Sequence, residues 1–482
     1  MPSLPKQTPT CCSGLTSASK FPRNLMLIGE SGESLSDYWT GKPGAAGNLR
    51  LLTREGKWLA WEDQEAAPDD ASSKRIAGAK GRVNEVLTQA VHATNVLTLL
   101  GSGASFCAKN AGPRQAPGMS DLWHAARAKV CEDNLVDHAD FDNVVLDIIG
   151  TLPPEKDGKQ QAGDIENLLS LCKMKLELME VRAKESEKTD PEGPISKLKT
   201  FIEDAEGAIL EKVDFVDQAT ELPAHRGLIQ KFAKRAVDKP RVKVFTTNYD
   251  LCVEEAASRL GVVLVDGFSH SAEQRFNRDY FQHDVVRRQT SGTKADYIDG
   301  VFQLYKLHGS IDWRRRADGV VIRSRASDPA LKPVLIYPRS TKYQEAFEIP
   351  YLDMFAAFQA ALREPDTALL IAGFGFADDH ISAPIWSALE SNLSLRLILV
   401  DPSFIPAVKL DAYPAPDHLL DVGLPTRKYQ NRMARLVAEG DPRVTLLNGR
   451  FEDLVDAIPA ITGESDRQRL QMRLDQIRDA AV

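Results

Sequence analysis

Short apolar runs alternate with longer amphipathic segments along most of the chain. Runs such as VLTLL and LRLILV are continuously apolar or nearly so, which is typical of strands covered on both faces of a sheet. YLDMFAAFQAALR instead places apolar residues at helical spacing. Strands that alternate with helices predict an α/β fold, here a Rossmann-like parallel sheet with helices on both faces.

A different pattern interrupts this alternation between about residues 120 and 235. Several helical segments follow one another there, and the charged turn ESEKTDPEGP separates two of them. We therefore expect a helical insertion or subdomain at about 120–235, within a domain that begins at about residue 82.

The two ends of the chain lie outside this predicted domain. Residues 1–80 form a variable segment rich in Pro, Gly, Ser and charge, with a candidate hairpin around Glu55-Gly56. Residues 406–482 form a C-terminal extension that ends in the helix-like stretch SDRQRLQMRLDQIRDAAV. An amphipathic helix of this kind packs on its own domain or on another subunit. Packing on its own domain is the commoner of the two roles, and both stay open for this helix, while we predict a homo-oligomer.

Charge and hydropathy exclude some classes of function. The 482 residues carry a net charge of −8, whereas a nucleic-acid surface needs clustered Lys and Arg. No apolar run reaches the roughly 18–20 residues that span a membrane, and the N-terminus lacks the apolar stretch of a signal peptide. We expect a cytoplasmic protein that binds neither nucleic acid nor membrane.

The cysteines do not follow the spacing of a metal site. The six are Cys11, Cys12, Cys107, Cys131, Cys172 and Cys252. None forms a C-x-x-C pair, so we expect reduced thiols and no metal.

Glycine-rich or polar turns follow five of the predicted strands. GSGAS (101–105) follows VLTLL, and its glycines would let backbone N–H groups approach a pyrophosphate. A tight connection between strand and helix is the alternative. GFGFADDH (373–380) again places glycines at a strand end, and Asp401 follows LRLILV, where an acid binds a ribose or simply begins a turn before proline.

Two further turns carry candidate catalytic groups. TTNYD (246–250) places Asn248 and Asp250 on either side of a tyrosine before a helix, where a single capping residue would suffice. LHGSIDW (307–313) places His308 at a strand end, and histidine is the natural general base near neutral pH, although a lone histidine is usually a packing residue.

These motifs, in this order, resemble the NAD-binding and catalytic motifs of sirtuin-like domains, and the resemblance implies a catalytic domain that spans about residues 82–405. The resemblance is closest to the prokaryotic antiviral branch that hydrolyses NAD, and DIENLLS (164–170) resembles a segment of that branch's helical insertion. The resemblance implies that Asn248 and His308 are catalytic, with Asp250 either a third polar contact or a helix cap. The residues that it implies for NAD binding are Gly101, Ser102, Gly103, Ala104, Ser105, Thr246, Thr247, Gly373, Gly375 and Asp401.

The resemblance also implies a function and partners. It implies an NAD hydrolase that releases nicotinamide and ADP-ribose in antiphage defence by NAD depletion, with a HerA-type ATPase or another phage-sensing subunit as partner. Members that deacylate lysine carry a four-cysteine zinc module after the catalytic histidine, and no cysteine follows Cys252 here, so we expect no zinc. The alternatives are an NAD-dependent protein deacylase and a sensor that binds NAD or ADP-ribose without turnover. The acid at Asp401 mildly favours NAD over NADP.

Overall fold

A sheet of ten strands, most of them parallel, forms the centre of the fold in the computed structural model. The structure describes residues 44–63, 77–110, 112, 114–133, 139–156, 159–188, 190–191, 193–288, 296–325, 328, 330–335, 349–405 and 419–460. All of them belong to one unit, Tyr38–Val482.

The strands and helices alternate as the apolar pattern predicts. The strands are β1 Arg50–Leu52, β2 Trp58–Leu59, β3 Asn95–Leu100, β4 Glu155–Lys156, β5 Lys159–Gln160, β6 Val242–Thr246, β7 Val263–Val265, β8 Val286–Arg287, β9 Asp296–Tyr297, β10 Val301–Lys306, β11 Gly309–Arg315, β12 Val321–Arg323, β13 Lys332–Leu335, β14 Thr367–Ala372, β15 Arg396–Val400, β16 Leu419–Leu420 and β17 Val444–Asn448. The helices are α1 Lys80–His92, α2 Met119–Asp133, α3 Ala139–Ile149, α4 Ile165–Arg182, α5 Glu185–Lys188, α6 Pro194–Val213, α7 Pro223–Ala233, α8 Cys252–Arg259, α9 Tyr351–Arg363, α10 Asp379–Ser391, α11 Lys428–Glu439 and α12 Phe451–Ala457.

The strand order of the large sheet is β16-β2-β1-β17-β15-β14-β3-β6-β10-β7. The seven strands from β17 to β7 are parallel, whereas β1, β2 and β16 pair antiparallel at one side. The predicted α/β, Rossmann-like fold is confirmed. Strand β13 lies outside this sheet, since it pairs with β11 in a separate three-stranded sheet.

Both faces of the large sheet are buried, which explains the continuous apolar runs. In β3, Val96 and Leu100 belong to the hydrophobic core on one face, whereas Leu97 and Leu99 belong to the core on the other. Successive side chains of a strand point to opposite faces, so a strand covered on both sides must be apolar throughout.

The strands end in register at the edge where the predicted site residues lie. Leu100 of β3 pairs with Thr246 of β6, and Thr246 pairs with Lys306 of β10. Ala372 of β14 pairs with Leu100 on the other side. The turns after β14, β3, β6 and β10 are therefore neighbours in space.

The helices between α2 and α6 pack around a third hydrophobic core, in the part of the chain expected to hold a helical insertion. Trp123, Phe141, Leu168 and Phe201 are buried in it. Tyr249, from the turn after β6, belongs to the same cluster. The helical part is therefore packed directly against a predicted site turn.

Segments from both ends of the chain complete the large sheet. The predicted hairpin is present: β1 pairs with β2, and Gly56 lies in the turn with φ +77°. At the other end, β17 pairs with both β15 and β1. The boundaries at 82 and 405 remain predictions, but the sheet extends beyond them.

Two further expectations concern the cysteines and membrane-spanning segments. Cys107, Cys172 and Cys252 are buried free thiols, whereas Cys11, Cys12 and the C-terminal stretch 465–482 lie outside the described residues. Within the described ranges, every helix is too short or too polar to cross a membrane.

Candidate functional site

Asn248 and His308 lie two residues beyond the ends of neighbouring parallel strands. Thr246 of β6 pairs with Lys306 of β10, and the Leu307 N–H donates to the Thr246 carbonyl oxygen over 2.8 Å. The Ile311 N–H donates to the Tyr249 carbonyl oxygen over 3.1 Å, which joins the two turns again. The fold thus brings together two motifs that are sixty positions apart in the sequence (308 − 248 = 60).

The side-chain amide of Asn248 is held by the turn after β3. Its Nδ2 donates to the Gly101 carbonyl oxygen over 2.9 Å and to Ser105 Oγ over 2.8 Å. Its Oδ1 is buried and accepts no hydrogen bond from any described residue. A buried acceptor without a donor is costly, so Oδ1 is an acceptor available to a ligand hydroxyl or to water.

Asp250 has its two carboxylate oxygens engaged inside the chain. Oδ2 accepts from Ser105 Oγ over 2.7 Å, and Oδ1 accepts from the Cys252 N–H over 3.0 Å at the start of α8. Asp250 thus bonds to the first residue of α8, whereas the N-cap position, Leu251, makes no side-chain cap bond, so the role of Asp250 stays open between the two expected. Asn248, Ser105 and Asp250 form one hydrogen-bonded chain, so the surplus of polar residues in TTNYD serves the turn and the site together.

His308 is paired with a carboxylate. Its Nε2 lies 3.1 Å from Asp378 Oδ2, and the two residues are only 8% and 7% exposed. Asp378 also caps α10, because Oδ1 accepts from the His380 N–H over 2.9 Å. A carboxylate fixed by a helix start holds the imidazole in one orientation.

The glycines of the first and fourth motifs pack against each other. A Cβ at Gly101 would lie 2.4 Å from the Gly373 carbonyl oxygen, and one at Gly373 would lie 2.1 Å from the Ala104 nitrogen. The Gly101, Gly103 and Ala104 N–H groups donate to Ala372, Gly373 and Gly101 carbonyl oxygens, respectively. Close contact between two turns therefore accounts for these glycines, and pyrophosphate binding there stays a prediction.

The other residues of these two turns differ in exposure. Ser102 is exposed, whereas Ser105 is buried and bonded to Asp250. Thr246 Oγ1 donates to the Leu100 carbonyl oxygen and accepts from the Asn248 N–H, both over 3.0 Å. Thr247 is half-buried, and its N–H also donates to Leu100. The threonines thus fix the backbone that carries Asn248.

Gly375 and Asp401 lie near one arginine that sequence reasoning did not assign. Arg427 Nη1 donates to the Gly375 carbonyl oxygen over 3.0 Å and lies 4.0 Å from Asp401 Oδ2. Asp401 accepts from Gln430 Nε2 over 2.7 Å and from the Ser403 N–H over 2.8 Å. These bonds correspond to the turn expected as the alternative for Asp401, and its contact with ribose stays a prediction.

Sequence analysis does not predict three charged residues that lie around the TTNYD turn, namely Lys306, Glu254 and Glu166. Lys306 is 2% exposed, and its Nζ donates to the carbonyl oxygens of Tyr249 and Asp250 and, over 2.9 Å, to Glu254 Oε1. The Tyr249 hydroxyl donates to Glu166 Oε1 over 3.3 Å. The alternation of side chains along β10 places Lys306 on the same face as the apolar Phe302 and Leu304, which marks it as a buried charge. No local sequence pattern predicts the contact between Glu166 and Tyr249.

The site contains no evident metal ligand set. Among the described residues, no group of three or more His, Cys, Asp or Glu side chains is placed to hold a metal ion.

Comparisons with known proteins give a family for one part of the chain. Residues 242–407 match the SIR2-like domain family. The match contains Asn248, His308, Gly373 and Asp401 but not the GSGAS turn. No curated protein matches the chain.

Two solved structures are similar over most of their length. One is a mutant Sir2 homologue in complex with ADP-ribose, with 12% identity and a TM-score of 0.30, covering 74% of this chain and 95% of its own. The other is a Sir2 variant with a deacetylated p53 peptide and 3′-O-acetyl ADP-ribose, with 9% identity and a TM-score of 0.27, covering 74% and 98%. Scores this low carry no conclusion about residues or ligands. Residues 242–407 are therefore similar to the SIR2-like domain family, and they lie within a chain whose fold is α/β and Rossmann-like.

Proposed function

We propose that this protein hydrolyses NAD to nicotinamide and ADP-ribose at the site formed by Asn248 and His308. The observation that carries the proposal is the pairing of a buried, unfilled amide acceptor with a carboxylate-bound imidazole at adjacent strand ends. The SIR2-like match over residues 242–407 supports a nucleotide of this class.

The reaction that we propose exchanges one bond for another at the sugar. The bond between the ribose C1′ and the nicotinamide nitrogen breaks, and its electron pair neutralises the ring. Water forms the new bond to C1′ and loses one proton. Positive charge develops on the sugar in the transition state because the bond to nicotinamide breaks ahead of the bond to water. Asn248 Oδ1 accepts from a ribose hydroxyl or from the attacking water. His308 takes up a proton from that water or hydroxyl, with Asp378 stabilising the imidazolium.

The test is nicotinamide release from NAD by purified protein, alone and with a candidate partner chain. We expect Asn248→Ala and His308→Ala to lower the rate by about 100-fold or more, the usual scale for a lost catalytic group. Asn84→Ala and His124→Ala, at exposed helix positions, serve as matched controls. A wild-type protein that releases no nicotinamide in any of these conditions contradicts the proposal.

The alternative activity is NAD-dependent deacylation of a protein. It predicts that nicotinamide release requires an acetylated peptide and that the acetyl group leaves with the sugar. The second solved structure contains a deacetylated peptide, but its score assigns no such substrate to this chain. Parallel assays with and without acetyl-peptide separate the two activities.

The cellular role that we propose is antiphage defence through NAD depletion, in a homo-oligomer with a HerA-type ATPase or another sensing subunit. The motif resemblance supports this role. We expect cells that express the protein and its partner to lose NAD during phage infection, and cells with the Asn248→Ala variant to retain it. Unchanged NAD in infected wild-type cells would exclude the role without excluding the hydrolase.

A further inference from the structure

The helical part of the chain delivers a carboxyl group to the candidate site. Helix α4 begins beside the TTNYD turn, with Asp164 as its cap, because Asp164 Oδ1 accepts from the Asn167 N–H over 3.0 Å. Glu166 lies in the first turn of this helix and is partly buried. Its Oε1 accepts from the Tyr249 hydroxyl over 3.3 Å.

Tyr249 links Glu166 to both proposed catalytic residues. It follows Asn248 directly in the chain, and its ring centroid lies 6.5 Å from that of His308. The Tyr249 side chain is buried in the hydrophobic cluster of the helical part, and its carbonyl oxygen accepts from the Ile311 N–H and from Lys306. A tyrosine fixed at both ends holds the Glu166 carboxyl group in one place.

The surroundings of Glu166 make its negative charge costly. Burial raises the pKa of Glu166 to about 7, against the attraction of His308. Asp164 on its own helix and Asp378 at the start of α10 raise that pKa further, whereas the Tyr249 hydrogen bond lowers it. Two carboxyl groups thus face Glu166 against one imidazole, and an added positive charge would stabilise its ionised form.

We propose that Glu166 is a specificity-determining residue, whose carboxyl group receives the positively charged nicotinamide ring beside Tyr249 and His308. This proposal rests on the function proposed above. The ring is cationic in NAD, neutral in NADH and absent from ADP-ribose. Glu166 therefore favours oxidised NAD over its reduced form and its product.

Proton release on binding is the consequence that a purely structural role would not produce. At neutral pH part of the Glu166 population is protonated, because the pKa lies at about 7. The incoming cation lowers that pKa, and a fraction of a proton, at most about one half at pH 7, leaves the protein. ADP-ribose brings no positive charge and causes less release.

Calorimetric titration at pH 7 in two buffers of different ionisation enthalpy measures this release. The ligands are carbocyclic NAD, which keeps the ring charge but has no ring oxygen to stabilise a sugar cation, and ADP-ribose. We expect Glu166→Gln to abolish the difference in proton release between the ligands and to weaken carbocyclic NAD about 10-fold, with ADP-ribose affinity changed less than about 2-fold. Glu177→Gln, exposed on the same helix, should match wild type.

The outcomes separate this inference from the function on which it rests. If both ligands bind Glu166→Gln as they bind wild type, with the same proton release, the inference is overturned while the hydrolase proposal stands. If wild type binds neither ligand, both are overturned. Glutamine can still accept from Tyr249, but should this variant fail to fold, Glu166→Asp withdraws the carboxyl group by one methylene and is read in the same way.

Discussion

At the scale of the residue, the candidate site is a set of hydrogen bonds that the sequence only partly predicts. Asn248 and His308 stand out because polar residues after buried strands lie at one edge of a parallel sheet. Asp378 as the partner of His308, and Glu166 beside Tyr249, depend on turns that are 70 and 83 positions apart. Such contacts follow from topology, which local pattern does not encode.

Removing the charge of Asp378 tests the role of the His308 pair. Asp378→Asn keeps an oxygen for the His380 N–H at the start of α10 but loses the carboxylate beside the imidazole. We expect the nicotinamide-release rate to fall about 10- to 100-fold, with an unchanged unfolding midpoint. The neighbouring exposed Asp379→Asn is the matched control. A full rate in Asp378→Asn would show that the pair has no part in the reaction.

His225 makes the stability of the protein depend on pH. It is buried beside Cys107 and Phe451, and burial lowers the pKa of His225 to about 4. The unfolded chain takes up a proton near pH 6.5, whereas the folded chain does so only near pH 4, so this residue lowers the free energy of unfolding as pH falls between those values. The slope is at most about 1.4 kcal/mol per pH unit.

Urea unfolding at several pH values between 7 and 4 measures this slope. We expect His225→Gln to reduce the loss of stability on the acid side, and the exposed His270→Gln to leave it unchanged. Equal slopes in wild type and His225→Gln would contradict a buried neutral His225.

At the scale of the element, hydrophobic periodicity predicts most strands and helices, but not why the glycines are needed. Strands β3, β6, β10, β14 and β15 and the helix α9 follow the apolar pattern closely. The pattern does not explain the small residues of GSGAS. In the structure, the backbone of this turn packs against that of Gly373, which leaves no room for larger side chains. The same residues are typical of ligand approach and of turn packing, and the structure shows the second.

Gly373→Ala tests this contact between turns. Both Gly373 and Gly261 have positive φ, at +67° and +65°, so alanine strains the backbone of each by about 1 kcal/mol. A Cβ at Gly373 also meets the Ala104 nitrogen at 2.1 Å, whereas one at Gly261 meets nothing within 4 Å. We expect Gly373→Ala to lower the free energy of unfolding by about 2 kcal/mol more than Gly261→Ala. Equal effects in chemical denaturation would rule out the packing explanation.

At the scale of the whole molecule, the sheet joins segments from near both ends of the described chain. Asp453 of α12 is fully buried, and its Oδ1 accepts from the Gly44 N–H and from Asn48 Nδ2. The turn at Glu55-Gly56 predicts the hairpin of β1 and β2, but the pairing of β1 with β17 and of β2 with β16 could not be predicted, because β1, β2 and β16 are two or three residues long. Strands so short carry no clear periodicity.

A fragment of residues 82–405 therefore lacks part of the core. It would expose the edge of β15 that pairs with β17, and remove Phe451 and Leu454 from one core and Met433 from the other. We expect residues 44–460 to unfold cooperatively on heating, followed by circular dichroism, and residues 82–405 to aggregate or lack a cooperative transition. Cooperative unfolding of 82–405 at the same temperature would support the narrower domain.

The most direct test of the central claim follows the oxygen atom that replaces nicotinamide. The wild-type protein is incubated with NAD in ¹⁸O-labelled water, and the products are analysed by mass spectrometry. Attack of water on C1′ predicts free nicotinamide and ADP-ribose that carries one ¹⁸O atom, with both products formed about 100-fold or more slowly by Asn248→Ala. Release that occurs only with an acetylated peptide and yields acetyl-ADP-ribose, or no cleavage in any condition, would contradict hydrolysis at this site.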